Sequence, residues 1–314
     1  MVRQPSARAW TGIAVVAVLA VVVGALAVMA MQRVSAPPSS EPASDADGTA
    51  PPTPAQSALP TPVGSATAPA VVPREAERFL AAGVNGVLWR VTAGSCQLDI
   101  PPVLERSGDD GVTWADVTPA YRGITQVMSL EDFADVQAEA VATVLDDASA
   151  GDPCDPRAMR TFSDGSFWSD YPEVLAARSY LTPDGVLVTP GGETEAPCAE
   201  PRSVRSSGAV VALVCDGQVS WWDGATWTAE AVPASIAVAV GAEGLYIAHV
   251  DPECDGVQLS LVAPDEEPVA VVCETGLDPA LPLALDATDA GSLWLWSGDE
   301  VRSSGSAVAS AGAS

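Results

Sequence analysis

Residues 107–114 read SGDDGVTW and fit the pattern S-x-D-x-G-x-x-W at every specified position. The segment around them occurs three times, as RSGDDGVTWAD from Arg106, RTFSDGSFWSD from Arg160 and VSWWDGATWTA from Val219. Successive copies begin 54 and 59 residues apart. This spacing lies slightly above the roughly 40 to 50 residues of a four-stranded propeller blade. The sequence therefore predicts a repeat protein built from β-strands.

Each part of the pattern has a structural role in a hairpin turn. Asp109 is expected to accept hydrogen bonds from backbone N–H groups of its own turn, and Gly111 to adopt the positive φ that the turn needs. Trp114 is expected to bury its ring beneath the hairpin. Ser163 and Trp222 replace the aspartate in the second and third copies. A residue that is lost between copies is interpreted as architectural and not catalytic.

The turn residues predicted to be structural are Ser107, Asp109, Gly111, Trp114, Gly165, Trp168, Gly224 and Trp227. A fourth and weaker copy, LWLWSGDEVRSS from Leu293, has Val301 where the last tryptophan is expected. These segments resemble the Asp-box (BNR) repeat β-propellers, the superfamily that includes sialidases, sortilin-type receptors and photosystem II assembly factors. The resemblance covers about residues 83–305 and implies an all-β propeller of four-stranded blades, with diverse functions.

Short alternating or β-rich runs between turn signals support an all-β domain. The segment 236–274 divides into four such runs and is predicted to form a complete blade. The run VQAEAVATVL from Val136 is compatible with a helix, but its position favours a strand. Counting in this way predicts about five blades, with four to seven compatible with the pattern.

The chain is strongly acidic, with 41 Asp or Glu residues against 14 arginines and no lysine. Residues 1–34 hold three arginines and no acid, so the remainder has 41 acids against 11 arginines, a net charge of −30. Such a domain repels nucleic acid and anionic membrane surfaces, which excludes nucleic acid as a partner. The acidity is explained by solubility or by genome composition more simply than by a specific cationic ligand.

The N-terminus has the pattern of a membrane anchor. Residues 1–10 contain Arg3 and Arg8, and the apolar stretch 11–31 is long enough to cross a bilayer. The positive bias before this stretch places the N-terminus in the cytoplasm and the bulk of the chain outside. An uncleaved signal anchor at the cell membrane is therefore predicted, with cleavage after Ala27 or Ala30 as the alternative.

A segment rich in Pro, Ala, Ser and Thr follows the apolar stretch. Residues 35–73 contain ten prolines and almost no large apolar side chain. A segment of this composition cannot bury a core, and it is predicted to be a disordered linker. Residues 74–314 are assigned to the extracellular propeller domain.

All six cysteines lie beyond the linker, which agrees with an oxidising exterior. Cys96 and Cys154 occupy equivalent loops of neighbouring copies, so a bond between them would connect adjacent blades. The remaining cysteines then form two local pairs, Cys198 with Cys215 and Cys254 with Cys273. Since no CxxC occurs and His249 is the only histidine, neither a metal nor another cofactor is expected.

A glycoside hydrolase is the alternative class that the resemblance implies. A sialidase would need an arginine clamp, a tyrosine and glutamate pair, and an acidic proton donor. No Arg-Ile-Pro signature precedes the first copy, and the nearest sequence, Tyr121-Arg122-Gly123-Ile124, follows it. Among 41 acids a catalytic pair cannot be singled out, and His249 in LYIAHV has the pattern of a packed residue. No catalytic residue is predicted.

The repeat also predicts which side of the disc binds. Turns between the first and second strands, and between the third and fourth, share one face, so the other connections emerge on the opposite face. The longer connections there are 94–102, 146–157, the stretch around 121–122, and 171–178. Long loops on a rigid scaffold collect binding residues. Those predicted to border the ligand site are Tyr121, Arg122, Arg157, Tyr171 and Arg178. The sequence thus indicates a binding or scaffolding module for a protein or glycan of the cell envelope.

Overall fold

The computed structural model describes residues 72–134, 137–145, 154–264 and 266–304. These residues form six antiparallel sheets, each built from one contiguous stretch of chain. The innermost strand of each sheet contacts the innermost strand of the next, and the sixth sheet contacts the first. The molecule is therefore a closed β-propeller with six blades.

The strands alternate in direction within every blade. Blade one contains β1 (Arg78–Ala82), β2 (Leu88–Thr92), β3 (Val103–Ser107) and β4 (Ala115–Asp116), and blade two contains β5 (Ile124–Ala134), β6 (Gln137–Val144), β7 (Pro156–Thr161) and β8 (Trp168–Asp170). Blade three contains β9 (Tyr180–Leu181), β10 (Leu187–Thr189) and β11 (Gly192–Thr194), and blade four contains β12 (Arg202–Ser207), β13 (Val210–Cys215), β14 (Gln218–Trp222) and β15 (Trp227–Ala229). Blade five contains β16 (Ser235–Gly241), β17 (Gly244–His249), β18 (Gly256–Val262) and β19 (Val269–Thr275), and blade six contains β20 (Leu283–Ala287), β21 (Leu293–Ser297) and β22 (Glu300–Ser304).

Helices are short in the described residues. Two 3-10 helices span Arg74–Ala76 and Ala120–Arg122, and one α-helix, α1, spans Pro172–Leu175. None of them has the length and hydropathy of a segment that crosses a membrane. The predicted anchor at 11–31 and almost all of the predicted linker at 35–73 lie outside the described residues.

Two faces of the disc follow from the alternation of strands. The turns 83–87, 108–114 and 162–167 connect first to second or third to fourth strands and lie on one side, which we call the turn face. The connections 93–102 and 117–123 lead to the opposite side, which we call the loop face. Strands β1, β5, β12, β16 and β20 all begin at the loop face.

The prediction of five blades was wrong, because blade three escaped detection. Its strands are two or three residues long, too short for an alternating pattern to stand out. The second and third copies of the turn lie in blades two and four, so the 59 residues between them contain a complete small blade. Blade five, at residues 235–275, and strand β6 agree with the prediction.

The innermost strand of blade three has the opposite direction to those of the other blades. Just before it, Arg178 pairs with Glu131 and Glu139, beside the turn that connects β5 and β6 at the turn face. At the other end of β9, the turn 182–186 contacts Arg74 and Gln97 on the loop face. Strand β9 therefore runs from the turn face to the loop face, opposite to the innermost strands of the other blades.

The core lies between the faces of neighbouring sheets. One cluster joins blades one and two through buried side chains that include Trp89, Val127, Met159 and Trp168. The rings of Trp89 and Trp168 meet edge to face, with their centroids 6.2 Å apart. Burial of large rings between sheets is the dominant source of stability in such a stack.

The turn 108–114 is held by side-chain acceptors. The Ser107 Oγ accepts a hydrogen bond from the Gly111 N–H at 2.9 Å, and Asp109 Oδ1 accepts one from the Thr113 N–H at 2.9 Å. These bonds hold the pKa of Asp109 below its ordinary value. Gly111 has a φ of +81°, in the region that favours glycine. Trp114 is half-buried: its Nε1–H donates to the Gly111 carbonyl of the hairpin at 2.9 Å, and the Arg90 guanidinium lies 4.0 Å from its ring centroid.

The turn 162–167 repeats this geometry with other side chains. The Thr161 Oγ1 accepts from the Gly165 N–H at 3.1 Å, and the Ser163 Oγ accepts from the Phe167 N–H at 3.0 Å. In the third copy the accepting side chain is Asp223, which stands one residue after the position of Asp109 and Ser163. Its Oδ1 accepts hydrogen bonds from the Ala225 and Thr226 N–H groups.

The three predicted disulfides are confirmed. Cys96 bonds to Cys154, Cys198 to Cys215, and Cys254 to Cys273, with a Cα–Cα distance of 5.7 Å in each. The first joins the loop after β2 to the start of β7, so it connects blades one and two across the loop face. No described cysteine is left free.

The two tryptophans that end the first two turns should contribute unequally to stability. Trp168→Ala removes a buried ring and is expected to lower the free energy of unfolding by about 3–5 kcal/mol. Trp114→Ala should cost clearly less, because its ring is half-buried. Chemical unfolding followed by circular dichroism measures both values. Equal losses would contradict the difference in packing.

Candidate functional site

A cavity among the described residues lies near the propeller axis at the loop face. It encloses about 350 Å³. Its wall combines the 3-10 helix that precedes β1 with the first residues of β1, β12, β16 and β20. Since innermost strands converge on the axis of a propeller, residues from distant parts of the chain meet here.

Three arginines line this cavity: Arg74, Arg78 and Arg202. Each guanidinium donates one hydrogen bond to a backbone carbonyl: Arg74 to Thr182 at 3.1 Å, Arg78 to Pro282 at 3.2 Å, and Arg202 to Val72 at 3.3 Å. Arg78 also stacks on the Trp296 ring at 4.2 Å. An arginine has five donors, so these bonds fix the side chains and leave donors for a ligand.

Three carboxylates, from Glu77, Glu200 and Asp216, line the cavity beside the three arginines. Within the described part of the chain, Glu200 is the only carboxylate within 4.0 Å of any of them, and it lies 3.7 Å from Arg202. The Glu77 carboxylate accepts a hydrogen bond from the Ser203 N–H at 2.7 Å. Burial raises the pKa of Glu77, although the positive charge of Arg205 opposes this shift. The cavity therefore combines three arginines with three carboxylates, in a protein whose net charge is −27.

Most of the remaining wall is apolar, with Ser203, Ser235 and Gly217 as the other members. The apolar side chains are Val72, Val214, Ile236, Pro279, Leu281, Pro282 and Leu283. A cavity with a few fixed polar groups and an apolar wall is the usual form of a small-ligand site. It suits a ligand that carries an anionic group on an apolar or neutral body.

None of the residues that line this cavity is a tyrosine. Tyr180 is buried against Met128, and the Tyr246 hydroxyl donates to the Glu243 carboxylate at 3.0 Å. Burial raises the pKa of Tyr246 to about 12, which keeps its hydroxyl protonated. The two remaining tyrosines lie around blade two, as described below. The cavity thus has arginines and carboxylates but lacks the tyrosine of a sialidase-like site.

The five residues predicted to border the ligand site surround blade two and do not line this cavity. The Tyr121 hydroxyl hydrogen-bonds to the backbone of Trp168, and its ring stacks on Phe167 with 5.5 Å between centroids. Arg122 pairs with Asp170. The connection 117–123 therefore packs along the outer edge of blade two.

The other three of these residues belong to blade two or to the segment that follows it. Arg157 lies in β7, where it pairs in register with Ala142 of β6. Tyr171 lies 4.8 Å from the Arg160 guanidinium. Arg178 joins the same network through Glu139, which pairs with both Arg160 and Arg178.

Another cavity, which we call the turn-face opening, lies at the turn face and encloses about 130 Å³. It is lined by four carboxylates, from Glu131, Asp132, Asp286 and Asp289. Burial and neighbouring carboxylates raise the pKa of Glu131 to about 7, in spite of its pairing with Arg178. Burial also raises the pKa of Asp286 to about 6, although it accepts a hydrogen bond from the Ala82 N–H. No cluster suited to a metal ion occurs in the described residues.

Sequence reasoning missed the arginines of the loop-face cavity. The sequence did contain a signal, which is a proline followed by two closely spaced arginines. It occurs as PREAER from Pro73 and as PRSVR from Pro201, in each case just before or at the start of an innermost strand. His249, in contrast, is packed as expected. Its Nε2 lies 3.0 Å from the Ser260 Oγ, and burial lowers its pKa.

Comparison with known proteins finds solved structures with low sequence identity and low TM-scores. No protein-family model and no curated protein matches the sequence. YCF48 from Cyanidioschyzon merolae is 14% identical over 73% of this chain and 81% of that chain, with a TM-score of 0.38. AofleA from Arthrobotrys oligospora is 8% identical over 73% and 87%, with a TM-score of 0.43. An α-L-arabinanase from Penicillium chrysogenum is 14% identical over 76% and 80%, with a TM-score of 0.35. The β-propeller assignment itself rests on the six sheets.

The carboxylates of the turn-face opening should make stability depend on pH. Glu131 and Asp286 have folded-state pKa values of about 7 and about 6, above their ordinary values of 4.5 and 3.8. The folded protein then binds more protons than the unfolded chain, so the free energy of unfolding should fall as the pH rises from 5 to 8.

Chemical unfolding at several pH values measures this decrease. Glu131→Gln should flatten it, because the group that titrates is removed, while the control Glu200→Gln in an exposed loop should not. Stability that stays constant or increases between pH 5 and 7.5 would contradict the assignment.

Proposed function

We propose that this chain is an extracellular β-propeller that binds a protein or glycan of the cell envelope through its loop-face cavity. The observation that carries the proposal is the meeting of Arg74, Arg78 and Arg202 in an otherwise acidic protein. Desolvated guanidinium groups form strong, oriented hydrogen bonds with carboxylates and phosphates. The bound part of the ligand therefore carries an anionic group.

Binding is favoured over hydrolysis by the composition of the cavity. A retaining or inverting glycoside hydrolase needs two carboxylates set across a bond. Of the three carboxylates here, Glu77 is engaged by the Ser203 N–H, Glu200 is 78% exposed at the rim, and Asp216 is exposed in the turn between β13 and β14. The sialidase-like alternative also requires a tyrosine, which the cavity lacks. Three arginines fixed by carbonyl groups are sufficient for recognition alone.

We infer that the turns 108–114 and 162–167 are diverged copies of one Asp-box turn. In both, an oxygen at the first position accepts from the glycine N–H, and an oxygen two residues later accepts from the residue before the tryptophan. Their glycines have φ values of +81° and +78°. This shared geometry supports membership of the sialidase-like superfamily.

The proposed location is the outer side of the cell membrane. Three disulfides in the described residues support an oxidising compartment. The apolar stretch 11–31, with arginines before it, supports a single-pass anchor whose C-terminal domain is outside.

Removal of a cavity guanidinium should weaken binding without unfolding the domain. Arg202→Gln and Arg74→Gln are each expected to lower affinity about 10- to 100-fold, the usual effect of losing a hydrogen bond between charged groups. The full-length protein is tested on a glycan array and on isolated envelope fractions, and the melting temperature is measured in parallel. Arg302→Gln, a blade-six arginine outside the cavity, is the matched control. Equal binding by all variants would overturn the cavity as the site.

Protease treatment of intact cells tests the topology. Because the positive residues precede the apolar stretch, added protease should remove the propeller and leave a small membrane-bound fragment. A cytoplasmic marker should remain intact. Recovery of the domain from the medium, starting after Ala27 or Ala30, would contradict the anchor.

A further inference from the structure

Among the described residues, the aromatic rings that are largely exposed lie in or beside blade two. Three of the four phenylalanines, Phe133, Phe162 and Phe167, are 43%, 49% and 63% exposed, whereas Phe79 is 4% exposed. Tyr121 is 56% exposed beside them. Clustered exposed rings cost solvation free energy and mark sites of interaction. Together with Tyr171 they form what we call the blade-two aromatic surface.

The rings of this surface are held in fixed positions. Phe162 lies between Phe133 and Tyr171, with centroids 6.4 Å and 5.7 Å apart, and Tyr121 stacks on Phe167. The Arg160 guanidinium supports the first group, at 4.0 Å from the Phe133 centroid. Arg160 is itself fixed by its pairing with the buried Glu139. Rings that are already ordered lose little entropy when a partner binds.

The fold does not require two of these rings. Phe162 and Phe167 stand at the positions that Gly108 and Thr113 occupy in the turn of blade one. Both turns have the same pattern of hydrogen bonds, and the residue before the glycine has a φ of +57° in one and +55° in the other. A small or polar residue therefore suffices at these positions, and the turn does not need the phenylalanines to form.

The electrostatic surroundings indicate the charge of the partner. The four arginines around this surface are each paired with carboxylates: Arg106 with Asp164, Arg122 with Asp170, Arg160 with Glu139, and Arg178 with Glu131 and Glu139. Glu173 is exposed two residues after Tyr171, and no partner is seen for it in the described residues. The chain as a whole has a net charge of −27. A second copy would be repelled, and a basic partner attracted.

We propose that the blade-two aromatic surface is a second docking site, separate from the loop-face cavity, for a basic segment of another protein. The segment carries at least one large apolar side chain, which packs on the phenylalanine rings. Lysine or arginine residues beside it interact with the exposed Glu173 and with the negative charge of the chain as a whole. Tyr121 and Tyr171 belong to this surface, but Phe162 and Phe167 stand in a turn of the turn face, whereas the sequence predicted a ligand site on the loop face.

Peptide selection on the full-length protein tests this proposal. A random peptide display library is selected on the wild-type chain and depleted on the double variant Phe162→Gly and Phe167→Thr, which restores the residues of the blade-one turn. The enriched peptides are synthesised, and their affinities are measured for both proteins. Val269→Thr is the control, because Val269 is 58% exposed on blade five, away from this surface.

The expected peptides combine aromatic or long aliphatic residues with lysine or arginine. They should bind the double variant at least about tenfold more weakly, as expected for loss of central aromatic anchors, and bind Val269→Thr with unchanged affinity. Their binding should weaken as salt is raised, and both variants should keep the wild-type melting temperature. Arg202→Gln should bind them normally, which separates this site from the cavity.

Four results would overturn the proposal. Selected peptides could be acidic or proline-rich without basic residues, or could bind the double variant as well as the wild type. The wild-type chain could self-associate where the double variant does not, which would make a second copy the occupant. It could instead bind phosphatidylcholine vesicles through the same phenylalanines, which would make the occupant a lipid surface.

Discussion

Closure of the ring between blades six and one is the constraint on which the rest of the structure depends. In the described residues each sheet is one contiguous segment, so no strand from one end of the chain completes a sheet at the other. Side chains hold the seam instead. The Asp286 carboxylate accepts the Ala82 N–H at 2.7 Å, and Leu80 packs against Ala284 and Trp296. The loop-face cavity is bounded by both sides of this seam, so its shape follows from that closure.

The convergence of the innermost strands explains why charged side chains of both signs are concentrated on the axis. Arg205 donates to the Arg78 carbonyl at 2.9 Å and interacts with the charges of Glu77, Asp286 and Glu131. Six innermost strands bring their side chains close together there, and water is partly excluded. Opposite charges must then be placed beside each other, because an isolated buried charge is costly. The axis is therefore polar, while the spaces between blades are apolar.

Local patterns of the sequence were enough to predict much of the fold. The turn at 107–114 marked the repeat, and its copies placed Cys96 and Cys154 in equivalent loops, which led to the correct disulfide. Blade three could not be found, because strands of two residues carry no periodicity. The cavity could not be assembled either, since Arg74 and Arg202 are far apart in sequence and meet only through ring closure. The contact of Trp114 with Arg90 comes from β2, two strands away in the same sheet, which no local pattern reveals.

The position of Val72 links the cavity to the rest of the polypeptide. Its carbonyl accepts a hydrogen bond from Arg202, and its side chain forms part of the cavity wall. Tension applied along the chain before residue 72 therefore acts on this wall before it reaches any blade. A ligand that fills the cavity holds the wall in place and so resists that load, and a load that displaces Val72 must in turn weaken the ligand. Force on the chain and occupancy of the cavity therefore oppose each other through the hydrogen bond between Arg202 and the Val72 carbonyl.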